Sequence, residues 1–460
     1  MLANAAAAPR WEWSVGLVVA LGFGLYLFAS EYHHLFYDSA DYWQLGHRFY
    51  HNGRFDLLAY DDALRGYAYP LFNLGCLAVR KALGWSAVTV VKLVNAALAG
   101  LLFGVVGPRL WQASIKGAAL PSVGRRLLFA GLGLLFWRGY FNFSLSDFPA
   151  LLALAAGLWL VQQPGWGRAL AGGAALALAL NIRPIYLAAM PPALLLLLWQ
   201  QPRAAWPARL GALAVGAALV LTPQALINRR HFAAATPLVL SQSAELGIHD
   251  LYLQKLKWGL LHEKYESSVG RELPTGQVLF YDAEGTRAWS ENSLRAVQTP
   301  WQYLALVGRH PLRVTGIYGR HLFAGLDISQ PTPYLRRWAP ARPLQLLGYA
   351  LWFAAAVQVL GHRPSRRAAL VLAALLLPCA AVIPLSMESR FLLPLHLLLL
   401  ALVAFGHGPR WALGGKRVVF VGAVFIGYLL GCRYLSRSIE QAVEPRFRPF
   451  VLSTGTPGHP

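Results

Sequence analysis

Long apolar stretches alternate along the chain with short polar segments that hold most of the charge. Apolar runs of about 17–20 residues recur, long enough to cross a hydrocarbon core of about 30 Å. Their spacing predicts about eleven membrane-spanning helices. The first seven are expected over Trp13–Ser30, Ser86–Gly107, Leu127–Phe141, Phe148–Val161, Ala169–Ile182, Ile185–Trp199 and Leu210–Ile227. Leu344–Leu360, Ala368–Leu385, Phe391–Gly406 and Val418–Cys432 follow. Several are short for a crossing, which predicts tilt or local thinning of the bilayer. Trp13–Ser30 has the length of a signal peptide, but no small-residue cleavage site follows it. An uncleaved first helix is therefore expected. The expected class is an all-α polytopic membrane protein, with one transmembrane domain over 1–433 and a short tail over 434–460.

Two long segments break this rhythm, the loops over 31–85 and 228–342. In the first, "DYWQLGHRFY" sets Tyr42, Leu45, Phe49 and Tyr50 near helical spacing. "YPLFNLGCLAVRKALG" is a second apolar segment, ending in Arg80 and Lys81. Both predict helices lying in the membrane interface. In the second loop, "LYLQKLKWGLLHEKYE" and "WQYLALVGRHPLRVTGIYGRHLFAGLD" predict the same. "ELPTGQVLFYDAEGT" between them reads as irregular, and neither loop has the pattern of an independent core.

Charge sets the orientation. With a cytoplasmic N-terminus, the inner loops hold Arg10, Arg109, Lys116, Arg125, Arg126, Arg168, Arg203, Arg209, Arg363, Arg366, Arg367, Arg410, Lys416 and Arg417. The short outer turns hold Arg183 and Arg390, with Arg138 near an outer helix end. This asymmetry is the positive-inside pattern. The same topology leaves Glu12 inside and puts every other acid outside or at an outer helix end. Chemistry is thus expected on the extracytoplasmic face of the membrane.

Composition narrows the partners. The chain has 460 residues, 56% hydrophobic and 13% charged, with a formal net charge of +21. Its arginines are scattered over helix ends and loops, so nucleic acid is not the expected partner. Anionic membrane lipids and lipid phosphates are. Cys76, Cys379 and Cys432 form no metal or redox spacing.

The candidate residues cluster in the outer segments. Asp38 and Asp41 lie just after the first span; capping of an interfacial helix explains them, and so does general-base or metal chemistry. Asp61, Asp62 and Arg65 follow in "AYDDALRGYAYP", where the arginine suits a phosphate. Asp147 in "FNFSLSDFPALL" is placed to cap the next helix, and Arg138 to anchor at the interface. Arg183 precedes Pro184 between two apolar runs, and Glu388 and Arg390 occupy a late outer turn. Lys92 and His396 are ionisable groups within spans, on the outer side, where a functional role is the default hypothesis. Arg229, Arg230, His231, Arg320, His321 and Asp327 flank the large loop as further phosphate or pocket candidates.

This ordered series resembles the GT-C class of integral-membrane glycosyltransferases, in the branch of protein mannosyltransferases and aminoarabinose-lipid transferases. "YDSADYW" is similar to that family's acidic motif in the first outer loop, with Asp38 where the catalytic acid falls and Tyr42 four residues on. "YPLFNLGCLAVRKALGWSAVTVVKLVNAALAGLL", "SLSDFPALLALAAGLWLV", "NIRPIYLAAMPPALLLLL", "TPQALINRRHF" and "ESRFLLPLHLLLL" resemble later landmarks. Ser39 departs from the pattern, since many members have a second acid there; Asp41 is placed to compensate. The resemblance implies transfer of a sugar from a polyprenyl-phosphate donor to a hydroxyl of a lipid, glycan or protein acceptor, with inversion. Asp38 and Asp41 would be catalytic, and Arg65, Arg183, Arg320 and Arg390 would bind the donor phosphate. A divalent metal, Mg or Mn, held with Asp38 is compatible with it. Two alternatives stay open: an O-antigen-type glycan polymerase or ligase leaning on outer Arg and His residues, and a transporter.

Overall fold

The computed structural model describes residues 11–115, 119–199, 202–270, 276–360, 364–406 and 415–452. The inner-loop cations Arg10, Lys116, Arg363 and Arg410 and the end of the expected tail, 453–460, lie outside them. Helix makes up 74% of the described residues, and strands are few among them. All eleven expected spans fall on helical segments. Among the described residues, four helices are long and apolar enough to cross a membrane: Ala87–Ser114, Arg203–Phe232, Arg342–Leu360 and Val418–Gln441. Trp13–Ala29, Asp147–Val161, Trp166–Ile182, Pro184–Trp199 and Ser389–Phe405 are shorter apolar helices.

The chain divides into two compact units. The first comprises Met1–Leu240, Pro364–Pro378 and Leu400–Gly406. Its helices are α1 (Trp11–Ala29), α2 (Tyr37–Leu45), α3 (Ala68–Leu83), α4 (Ala87–Ala99), α5 (Gly107–Ser114), α6 (Val123–Trp137), α7 (Asp147–Val161), α8 (Trp166–Ile182), α9 (Met190–Trp199) and α10 (Trp206–Phe232). A π-helical stretch, Gly100–Val106, joins α4 to α5. Helix α8 packs against both α7 and α10. A side chain at Gly216 would meet the carbonyl oxygen of Leu170 at 2.0 Å, so the backbones of α8 and α10 touch there. Small residues permit this approach, and dispersion contacts then hold the pair.

The second unit comprises Ser241–Arg363, Cys379–Leu399 and His407–Pro460. It includes α11 (Leu251–Gly259), α12 (Ala283–Ala288), α13 (Glu291–Arg295), α14 (Pro300–Arg309), α15 (Pro311–Leu326) and α16 (Arg342–Leu360). Helices α17 (Arg366–Val382) and α18 (Leu393–Phe405) belong partly to each unit. Helix α19 (Gly415–Gln441) runs past position 433, and α20 (Arg448–Leu452) follows it. Strand β3 (His262–Ser268) pairs antiparallel with β4 (Gln277–Tyr281) and parallel with β5 (Tyr334–Leu335), with a bulge between His262 and Lys264. In the first unit a short hairpin pairs β1 (Tyr50–His51) with β2 (Arg54–Phe55).

Several local expectations are corrected. "ELPTGQVLFYDAEGT" is not irregular: it contains β4 and the start of α12, with 271–275 outside the described residues. Val278 and Phe280 alternate onto one face, and both are fully buried, which is the two-residue period of a half-buried strand. The helix begun by "LYLQKLKWG" stops at Gly259, and "HEKYE" joins β3. The large loop also contributes buried residues to the second unit, among them Val278, Phe280, Val314 and Ile317. Asp38 is not the cap of α2. Phe36 holds the cap position of a helix that starts at Tyr37, and Asp38 falls in its first turn. Asp147 likewise is the first helical residue of α7 behind Ser146, and its carboxylate takes an arginine instead.

Candidate active site

The first outer loop brings Asp38, Asp41, Asp62 and Arg65 together. Arg65 donates from Nη2 to Asp38 Oδ1 at 3.0 Å, and its guanidinium lies 5.0 Å from the centre of the Tyr42 ring. Asp38 lies in the first turn of α2, where the helix dipole favours a carboxylate. Asp62 folds its own turn: Oδ1 accepts from the backbone N–H of Leu64 at 2.9 Å and of Arg65 at 2.6 Å. Arg48 reaches Asp61 at 3.0 Å and Asp62 at 3.9 Å. Tyr60 donates to the Arg65 carbonyl at 3.2 Å and stacks on Phe49.

This loop is seated on the helix ends of the same unit. A side chain at Gly66 would collide with the backbone oxygen of Asn181, 2.0 Å away, so residue 66 has room for hydrogen only. Asn181 Oδ1 accepts from the N–H of Ala68 at 3.0 Å, and its amide donates to Gln224 at 2.9 Å. Gln224 also accepts from the N–H of Tyr67 and donates to Asn228. Asn228 in turn holds the carbonyls of Thr236 and Leu238. Farther along, Arg230 pairs with Asp56 at 3.0 Å and His231 Nε2 bonds the Leu58 carbonyl at 2.7 Å. Asn181, Gln224 and Asn228 are almost fully buried, and buried amides must be satisfied. Here they satisfy one another by fixing the backbone next to Arg65.

The electrostatics follow from this packing. Partial burial pushes the Asp41 carboxyl above its ordinary value; Asp38 and Asp62 push the same way and Arg65 opposes them. Burial also raises Asp62, against the N–H bonds from Arg65 and Leu64 and the nearby Arg48 and Arg65 charges. Carboxylates sharing one cation cannot all be equally acidic. An anion that claimed Arg65 would take this bond from Asp38.

The other first-unit candidates are engaged in the fold. Arg183 pairs with Asp147, whose side chain is buried. Arg138 bonds the Leu135 carbonyl and lies 5.6 Å from the Tyr26 ring, as an interfacial anchor would. Lys92 donates to Ser30 Oγ at 3.1 Å, and Ser30 bonds Asn142. Two residues on from Asn142, the Ser144 N–H donates to the Ser39 hydroxyl beside Asp38 at 2.9 Å.

In the second unit, Arg320 grips Asp282 through Nε at 2.8 Å and Nη2 at 2.7 Å. Asp282 also caps α12 by accepting from the N–H of Gly285 at 2.7 Å. His321 is buried with Nδ1 2.8 Å from the Ile383 carbonyl, and desolvation lowers its pKa to about 4. Glu388 and Arg390 pair with each other, and His396 Nε2 bonds the Gly325 carbonyl at 3.0 Å. Asp327 accepts from Gln345 at 2.8 Å and Tyr349 at 2.7 Å.

Sequence reading passed over Asp56, Glu263 and Asp282. Glu263 is buried, one of its oxygens has no hydrogen-bond partner, and desolvation with Asp282 nearby raises it to about 7. Only the strand pairing reveals it, because "LLHEKYE" carries no sign that its acid is buried. Among the described residues, no three His, Cys, Asp or Glu side chains gather as the ligands of one metal ion. Set against protein-family models, curated proteins and solved structures, the chain matches none.

Proposed function

We propose that the protein is an integral-membrane glycosyltransferase of the GT-C kind. It moves a sugar from a polyprenyl-phosphate donor to a hydroxyl acceptor on the extracytoplasmic face of the bacterial inner membrane. All eleven apolar helical segments cross the bilayer in this reading, the shorter ones tilted or in thinned regions. The unburied apolar side chains on α1 and α19, such as Leu25, Val419 and Leu430, then face lipid.

One observation carries the reading: Asp38 and Arg65 meet at 3.0 Å in a half-exposed acidic loop that is fixed by buried amides. The donor phosphate draws Arg65 away from Asp38. The acceptor oxygen attacks the anomeric carbon while the bond to the phosphate oxygen breaks on the opposite side, and the centre inverts. The proton of the acceptor hydroxyl passes to Asp38. The bonding pair leaves with the phosphate, whose charge Arg65 stabilises. Asp41 keeps the loop anionic beside Asp38 and supports its basicity. A polymerase or ligase reading would lean on Arg320 and His321, and these are held by Asp282 and by burial.

The test is transfer from a panel of polyprenyl-phosphate sugars by the purified protein, with products identified by mass spectrometry. A glycosylated acceptor and free polyprenyl phosphate are expected. Flux of the substrate into vesicles without transfer would instead mark a transporter.

A further inference from the structure

The far end of α7 gathers positive charge of a different kind. Helix α7 has 15 residues, so its last turn lies about 20 Å along the axis from Asp147 at 1.5 Å per residue. There Arg209 Nη2 donates to the Val161 carbonyl at 2.8 Å, and Arg367 Nε donates to Gln162 Oε1 at 2.9 Å. Arg109 lies 4.9 Å from the centre of the Trp159 ring in the same turn. Three guanidiniums from three helices thus converge on one helix end.

A capping role accounts for only part of this. Cations suit the C-terminal end of α7, but Arg209 lies in the first turn of α10 and Arg367 in the first turn of α17. Each is therefore at the positive end of its own helix, where a cation is disfavoured and an anion is welcome. Arg209 is 4% exposed, and its Nε and Nη1 have no hydrogen-bond partner. Buried charged donors left unmade are costly. By the charge pattern, this side of the chain has Glu12 as its one acid.

We propose that Arg209 and Arg367, with Arg109 beside them, form a binding site for a phosphate anion supplied by an anionic phospholipid headgroup. Two helix N-termini and the arginine forks supply donors of the geometry that phosphate oxygens accept. The two free nitrogens of Arg209 are closed to solvent, so the anion reaches them as the long arginine arms rotate.

The experiment follows the thermal midpoint of the full chain in detergent on addition of phosphatidylglycerol, phosphatidylcholine or inorganic phosphate. Phosphatidylglycerol is expected to raise the midpoint at concentrations where phosphatidylcholine does not. Arg209→Gln is expected to weaken its apparent binding tenfold or more, as loss of a charge-assisted contact would. Arg367→Gln should act in the same direction and serves if the first variant does not fold. An equal rise with inorganic phosphate alone, lost in the same variants, keeps the anion site and assigns it to soluble phosphate. An undiminished phosphatidylglycerol response in both variants, or an equal response to phosphatidylcholine, overturns the proposal.

Discussion

The first-loop acids and the acidic cluster of the second unit are built from the same residue types for opposite ends. Around Arg65, Asp38 is about one-third exposed and Asp62 partly so. Their cation is shared and the backbone beneath them is fixed. Around Arg320, Asp282 is fully buried, takes two bonds from the guanidinium, and caps a helix as well. The first arrangement can exchange a partner with a ligand; the second would have to break a core to do so. Motif and charge alone rank the two arginines together. The burial of the paired acid separates them, about one-third exposed in Asp38 and none in Asp282.

The largest expected effect on stability lies in the buried cluster. Asp282→Ala removes both short bonds to the guanidinium of Arg320, leaving it the longer contact to Glu284 at 3.5 Å, and uncaps α12, so the second unit should lose about 2–4 kcal/mol. A lowered thermal midpoint would register this. A midpoint unchanged by Asp282→Ala would erase the contrast between the clusters. Gly66→Ala comes next. The added methyl must displace the backbone at Asn181, and the expected outcome is a transfer rate reduced by about tenfold or more through misplacement of Arg65. Adding methyls where nothing is near, as at Gly75 on the exposed part of α3, should leave the rate unchanged. Full activity in Gly66→Ala would show that the loop needs no fixed seat.

The smallest effect concerns pH. Glu263 is raised to about 7 from 4.5, so its folded form keeps a proton that the unfolded chain releases. Its contribution is fully present below pH 4.5 and is lost as pH rises through 7. His321 is lowered to about 4 from 6.5, so its contribution is present above 6.5 and is lost as pH falls through 4. Over the range they share, the slopes cancel. Thermal midpoints of the wild-type chain should be flat between pH 4.5 and 6.5, with respect to these groups. In Glu263→Gln they should climb with pH across that window. Parallel profiles for the two proteins would contradict the burial of Glu263.

Much of the helical framework was legible because apolar runs need no partner to be recognised: each expected span falls on a helix. The strands of the second unit were less legible. "QVLFY" alternates, but its five residues fit a loop until β3 supplies the other half of the ladder. At the site, Asp38, Asp41, Asp62 and Arg65 were all readable as candidates, since acids and an arginine beside an apolar run are conspicuous. Their sorting was not. That Arg183 is taken by Asp147, and Arg320 by Asp282, depends on pairs 36 to 38 residues apart in sequence, which a linear pattern does not contain. Asn181 and Gln224, which seat the loop, sit within apolar helices and look like incidental polar residues.

The most direct measurement is the transfer rate of Asp38→Asn, taken with its thermal midpoint on the same preparation. The substitution keeps size while removing the proposed base, so transfer should fall by about 10²–10⁴-fold with the midpoint little changed. A folded Asp38→Asn protein that transfers sugar at the wild-type rate would contradict the assignment of Asp38.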